Sequence, residues 1–87
     1  PVGRLDLLCE DTAGNLYVVE LKKDSGYDDA YEQTAQYLEW FEKSEKFKGK
    51  KVYGIICLNN PTKELILRVH NDKRMRLFEY RISYTEL

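Results

Sequence analysis

Asp6, Glu20 and Lys22 are the residues whose types and spacing could carry out chemistry on a phosphate ester. Asp6 interrupts the apolar run Arg4 to Cys9, where a lone carboxylate is costly unless it is paired, exposed or bound to a metal. Glu20 and Lys22 are two apart in Leu16-Tyr17-Val18-Val19-Glu20-Leu21-Lys22, so on a strand both side chains emerge on one face. Pairing of the two runs through a tight connection brings Asp6 beside Glu20. Two carboxylates, with the backbone carbonyl of Leu21 nearby, make an oxygen-rich site suited to Mg²⁺ or Mn²⁺. Such a metal polarises a phosphoryl oxygen and acidifies a bound water. Lys22 would position or help deprotonate that water and stabilise developing charge. Its exact proton role stays open, since an ammonium beside two carboxylates remains protonated until a metal arrives. The spacing alone is equally compatible with a same-face Glu20–Lys22 surface ion pair that contributes little to stability.

The elements that would position these groups follow from hydrophobic pattern. Arg4 to Cys9 and Leu16 to Lys22 read as a β-hairpin joined by the polar turn Glu10 to Asn15. Asp24-Ser25-Gly26 ends the second strand, and Asp28 and Asp29 are placed to cap and charge the start of a helix that runs from about Asp29 into the lysine-rich segment. At 100° per residue, Ala30, Tyr31, Thr34, Tyr37, Leu38 and Phe41 share the core face, opposite Glu32, Glu39 and Lys43. Gln33 and Trp40 lie on the flank of that stripe.

Val52 to Leu58 is an almost continuous apolar run, the pattern of a parallel strand buried on both faces. Asn60-Pro61 reads as a helix start, with Leu65, Ile66 and Val69 as the apolar face. Met75 to Tyr84 alternates Leu77, Glu79 and Arg81 against Phe78, Tyr80 and Ile82, as a last one-sided strand does. The order strand, strand, helix, strand, helix, strand predicts an α/β fold: a mixed β-sheet flanked by helices, with right-handed crossovers.

Bulk properties set the frame. Eighty-seven residues suffice for one core, so residues 1–87 are read as a single domain. The 43% apolar and 33% charged content is that of a chain that folds in water, and no stretch has transmembrane length. Cys9 and Cys57 lack the spacing of a zinc or redox motif and read as reduced core residues of a cytoplasmic protein. The start at Pro1 reads as that of a domain excised from a longer protein. The net charge of −1 is not that of a self-sufficient nucleic-acid binder, so a grip on phosphates would be local or shared. Lys43 to Lys51 and the group Lys73, Arg74 and Arg76 are the local candidates, each alternatively a solvated face. His70 has no partner at ligand or triad spacing and reads as a helix-end residue, while Trp40, Tyr27 and Tyr31 read as core or interface aromatics.

Taken together, these residues resemble the PD-(D/E)xK nuclease superfamily, which includes type II restriction enzymes and archaeal junction resolvases. The closer resemblance is to the catalytic domain of NucS-type endonucleases. It rests on Gly3-Arg4-Leu5-Asp6-Leu7-Leu8, Gly14-Asn15-Leu16, Val19-Glu20-Leu21-Lys22-Lys23 and Asp28-Asp29-Ala30 followed by Gln33 and Tyr37. Leu5 stands where the motif's proline would be, and the core helix that precedes the first strand in many relatives is not in this chain. The resemblance implies a restriction-endonuclease-like sheet and a Mg²⁺- or Mn²⁺-dependent endonuclease domain acting on DNA phosphodiester bonds. It implies Asp6, Glu20, Lys22 and Gln33 as catalytic residues, and Asp6, Glu20 and the Leu21 carbonyl as metal ligands. The family's helix glutamine lies near the metal-bound water, which gives Gln33 its place. Other domains or a partner subunit would help hold the DNA, and a homodimer would suit cutting both strands. The competing expectations are a nuclease-fold module kept for nucleic-acid binding or assembly without catalysis, and a purely structural α/β domain.

Overall fold

The computed structural model describes residues 7–22, 29–81 and 83–87. Strands β1 (Leu7–Glu10), β2 (Leu16–Leu21), β3 (Val52–Leu58) and β4 (Met75–Glu79) form one sheet in the order β1-β2-β3-β4. β1 and β2 are antiparallel, with Leu7 opposite Val19, and the pairs β2–β3 and β3–β4 are parallel. Helix α1 (Ala30–Lys43) joins β2 to β3 with a short 3₁₀ turn at its end, and α2 (Lys63–His70) joins β3 to β4. The predicted α/β mixed sheet and element order are therefore those observed. The hairpin loop is organised by Asp11, whose carboxylate accepts from the Ala13 and Asn15 amides, the Asn15 side chain and the Tyr17 hydroxyl. These hydrogen bonds, led by that from the Asn15 side chain, hold the Asp11 carboxyl below the usual carboxylate range.

Both helices cover the same sheet face. Leu16, Val18, Val52, Ile56, Leu58 and Met75 are buried there against Ala30, Tyr37, Leu38, Phe41, Leu65 and Val69. The α1 stripe read from periodicity is the buried one, with Tyr31 packed at its margin. Gly54 lets α1 approach, since a Cβ built there would lie 2.5 Å from Thr34 Cγ2.

Several local expectations are corrected. β3 alternates buried and half-buried residues, so only one of its faces is covered by helices. Its other face is open, with Tyr53 stacked on Tyr17 of β2 at 5.6 Å, and with Leu7, Leu21 and Phe78 about half exposed. Cys9 is consequently exposed and Cys57 only half-buried; both are free thiols, not core residues. The second helix begins after Thr62, whose side chain accepts from the Leu65 amide at 3.1 Å, while Asn60 takes a left-handed turn at φ 56°. Asn tolerates that conformation better than most residues, so Asn60 makes the bend and Thr62 makes the cap. β4 ends at Glu79, short of the expected Tyr84, and buries Met75 while leaving Phe78 half exposed.

Candidate functional site

Strand parity carries Glu20 and Lys22 onto the helix-covered face, at the C-terminal end of β2. Glu20 continues the buried series Leu16, Val18, Glu20 and is only 2% exposed. A carboxylate so enclosed requires charge compensation, and Lys22 supplies part of it with Nζ 3.5 Å from Glu20 Oε2. The same ammonium donates to Gln33 Oε1 at 2.8 Å. Gln33 sits on the first turn of α1, on the flank given by its helical angle, and is half-buried. Glu20, Lys22 and Gln33, separated by up to thirteen positions in sequence, thus meet beneath the start of α1. Ligand sites of open α/β sheets commonly lie at this C-terminal end of parallel strands.

Lys22 is fixed through its backbone as well. Its N–H donates to the Cys57 carbonyl at 2.9 Å, continuing the β2–β3 ladder one residue past β2. Its carbonyl accepts from the Tyr80 hydroxyl at 2.7 Å, and the Tyr80 N–H donates to the Leu58 carbonyl at 3.2 Å. Tyr80, just beyond β4, therefore ties the far strand to the candidate site. On the helix side, Gln33 Nε2 donates to the Asp29 carboxylate at 2.9 Å. Asp29 occupies the N-cap position of α1 with helical backbone angles and makes no side-chain cap; its carboxylate accepts from Gln33 instead.

Asp6 and Asp28 lie outside the described residues, as do Arg4 and Tyr27. Among the described residues no group of three or more His, Cys, Asp and Glu side chains is placed to hold a metal ion. What they do provide is hard oxygen chemistry, with the Glu20 carboxylate beside the Leu21 main chain, and that donor type fits Mg²⁺ or Mn²⁺ rather than a soft metal. The Leu21 side chain itself points to the open face and is 54% exposed.

The basic runs are not beside this cluster. Lys50 and Lys51 adjoin the beginning of β2, where the Leu16 amide donates to the Lys51 carbonyl at 2.8 Å. Five strand steps, or ~17 Å at the usual rise, separate that level from Leu21. Lys50 pairs with Glu10, and Lys43 with Glu39 at 2.6 Å. Arg74 is engaged by Asp72 and Glu42. Tyr31 donates its hydroxyl to Asp72 and has the Arg68 guanidinium over its ring, and His70 closes the last turn of α2. Trp40 is 48% exposed, edge-on to Phe41.

Sequence reasoning missed Asp29 as a partner of Gln33, and Tyr80 altogether. The first had a readable signal, the four-residue helical spacing from Asp29 to Gln33. Tyr80 had none, since 58 positions separate it from Lys22.

Comparison with known proteins completes the picture. The family described as the endonuclease NucS C-terminal domain matches residues 1–80. The solved EndoMS–dsDNA2 complex has the same fold, with a TM-score of 0.71 and 23% identity. The similarity covers 93% of this chain and 32% of that one, so this chain spans about a third of its length. No curated protein matches the sequence significantly. No described helix is long and apolar enough to cross a membrane.

Proposed function

We propose, from the premise that this chain belongs to the endonuclease NucS C-terminal domain family, that it is a PD-(D/E)xK-type catalytic domain hydrolysing DNA phosphodiester bonds with Mg²⁺ or Mn²⁺. The observation that carries the reading is the meeting of Glu20, Lys22 and Gln33 at the C-terminal end of β2. Asp6 is assigned as the second carboxylate because it directly precedes Leu7, whose partner on β2 is Val19, the residue directly before Glu20. Asp6, Glu20 and the Leu21 carbonyl would hold the metal, which when bound supplies Lewis acidity and an acidified water. The Lys22 ammonium orients the attacking water and stabilises charge gathering on the phosphoryl oxygens. Gln33 holds that ammonium and would share the water. DNA as substrate is supported by family membership and by the DNA in the structurally similar EndoMS complex. Grip on the duplex would come largely from other domains or a second copy, in keeping with a net charge of −1 and basic runs away from the site. A cytoplasmic location is part of the same proposal.

The test is cleavage of duplex, branched, mismatched and single-stranded DNA with Mg²⁺ or Mn²⁺. Asp6→Ala and Glu20→Gln should each abolish cleavage, Lys22→Met should reduce it by about 10²- to 10³-fold, and Mn²⁺ binding should require both Asp6 and Glu20. Cleavage that persists unchanged in Asp6→Ala or Lys22→Met would show the roles to be wrong. Mn²⁺ binding indifferent to both carboxylates would favour a non-catalytic module instead.

A further inference from the structure

We infer that Asp29 is a positioning residue of the proposed site, holding the Gln33 amide so that Oε1, and not Nε2, faces the Lys22 ammonium. The two ends of a glutamine amide are nearly equal in size, so packing barely selects between them; hydrogen-bond partners do. Here the partners on the two sides are opposite in kind. Lys22 Nζ can only donate, and it does so to Oε1 at 2.8 Å. The ionised Asp29 carboxylate can only accept, and it does so from Nε2 at 2.9 Å. Each partner alone would favour this orientation, and together they specify it. With the amide reversed, an NH₂ group would meet the ammonium and Gln33 could no longer hold it. At the N-cap of α1 Asp29 has helical backbone angles, not the extended ones of a capping residue, and makes no side-chain cap, so its carboxylate has no competing bond to the helix's first amides. The four-residue spacing places Asp29 one turn before Gln33, and the Gln33 amide N–H donates to the Asp29 carbonyl at 3.0 Å, so the pair is rigidly spaced. The catalytic consequence rests on the nuclease reading above; the orientation of Gln33 does not.

The experiment follows the Gln33 side-chain amide in ¹⁵N-labelled chain by NMR, alongside DNA cleavage, for Asp29→Ala, Asp29→Asn and Asp29→Lys, with far-UV circular dichroism as the folding control. Asp29→Ala should shift the Gln33 Nε2 proton pair, speed its exchange with water several-fold, and lower kcat by about tenfold with KM for DNA little changed, the size expected for losing one charge-assisted hydrogen bond. Asp29→Asn keeps an acceptor oxygen of the same reach and should recover most of both effects. Asp29→Lys, a donor that demands the reversed amide, should be at least as impaired as Asp29→Ala. An unmoved amide pair in Asp29→Ala would overturn the inference, as would an Asn variant as defective as the Ala variant. Should the unsubstituted chain fail to cleave DNA, the nuclease reading fails, while the amide resonances still decide the orientation of Gln33.

Discussion

Helix α1 carries residues of two polar clusters that are built from similar parts and used differently. In one, the Asp72 carboxylate accepts from the Arg74 amide, Nε and Nη2 at 3.0 to 3.1 Å and from the Tyr31 hydroxyl at 2.8 Å. Arg74 leads the causes that lower its pKa to about 2. In the other, Glu20 is more deeply buried, yet its contact with Lys22 is an ion pair at 3.5 Å, longer than a hydrogen bond. Asp72 is a saturated clamp between α1 and the start of β4. In the Glu20 cluster the Lys22 ammonium is shared between the carboxylate at 3.5 Å and Gln33 Oε1 at 2.8 Å, a looser ion pair than the Asp72–Arg74 fork.

The comparison predicts its largest effect at Lys22. Lys22→Met should reduce cleavage by about 10²- to 10³-fold, the usual scale for removing a donor that stabilises developing charge. The same change strips the buried Glu20 of a cation and should lower stability by roughly 3 kcal/mol, readable in urea unfolding. Glu20→Gln combined with Lys22→Met should recover much of that stability and none of the activity. If the double variant is no more stable than Lys22→Met, Glu20 does not depend on Lys22 and the contrast with Asp72 collapses.

Gly54→Ala probes the spacing of α1 that both clusters share. The new Cβ would stand 2.5 Å from Thr34 Cγ2 and 3.4 Å from Met75 Cγ, so the helix has to shift. A loss of about 2 kcal/mol is expected, as for overpacked cores. The loss should be largely relieved by adding Thr34→Ala, which clears the contact. Changes in NMR signals at both Gln33 and Tyr31 would show the clusters to be coupled through the helix; a change at one alone would show them to be independent.

For Asp72 the expectation concerns pH. Its folded-state pKa of about 2 lies below the ordinary value of 3.8. The stabilisation is therefore complete above the unfolded pKa and is lost as pH falls from about 5 toward 2. Allowing for solvent screening, the effect should be roughly 1–2 kcal/mol. Asp72→Ala should flatten the corresponding part of the stability curve between pH 5 and 2 and leave cleavage near neutral pH almost intact. An unchanged acid limb would place the acid sensitivity elsewhere.

Much of this was legible in the sequence where a single periodicity governed. The core face of α1, the bounds of β3 and the shared face of Glu20 and Lys22 follow from periods of 3.6 and 2, and Gln33 fell on the flank that reaches Lys22. Errors arose where tertiary arrangement decides. Both crossovers place their helix on the same face, so Cys57 lost the cover that its apolar neighbours suggested. The same choice of face decides which side of β4 is buried, since α2 packs over Met75 and not Phe78. At α2 two adjacent cap candidates competed, and Asn60 went into a left-handed turn while Thr62 capped the helix. Asp6 lies outside the described residues.

Thr34 offers the smallest and most delicate test. Its side chain is fully buried between α1 and β3, and among the described residues its hydroxyl has no hydrogen-bond partner. A buried hydroxyl without a partner is a net cost to folding, and valine has nearly the same shape without it. Thr34→Val should therefore raise stability by up to about 1 kcal/mol, shifting the urea midpoint upward without changing the slope. Because Thr34 directly follows Gln33 and packs against Gly54, the variant should leave the Gln33–Lys22 bond in place. Destabilisation would mean that the hydroxyl is bonded in solution and that α1 is held to the sheet by a polar contact as well as by packing.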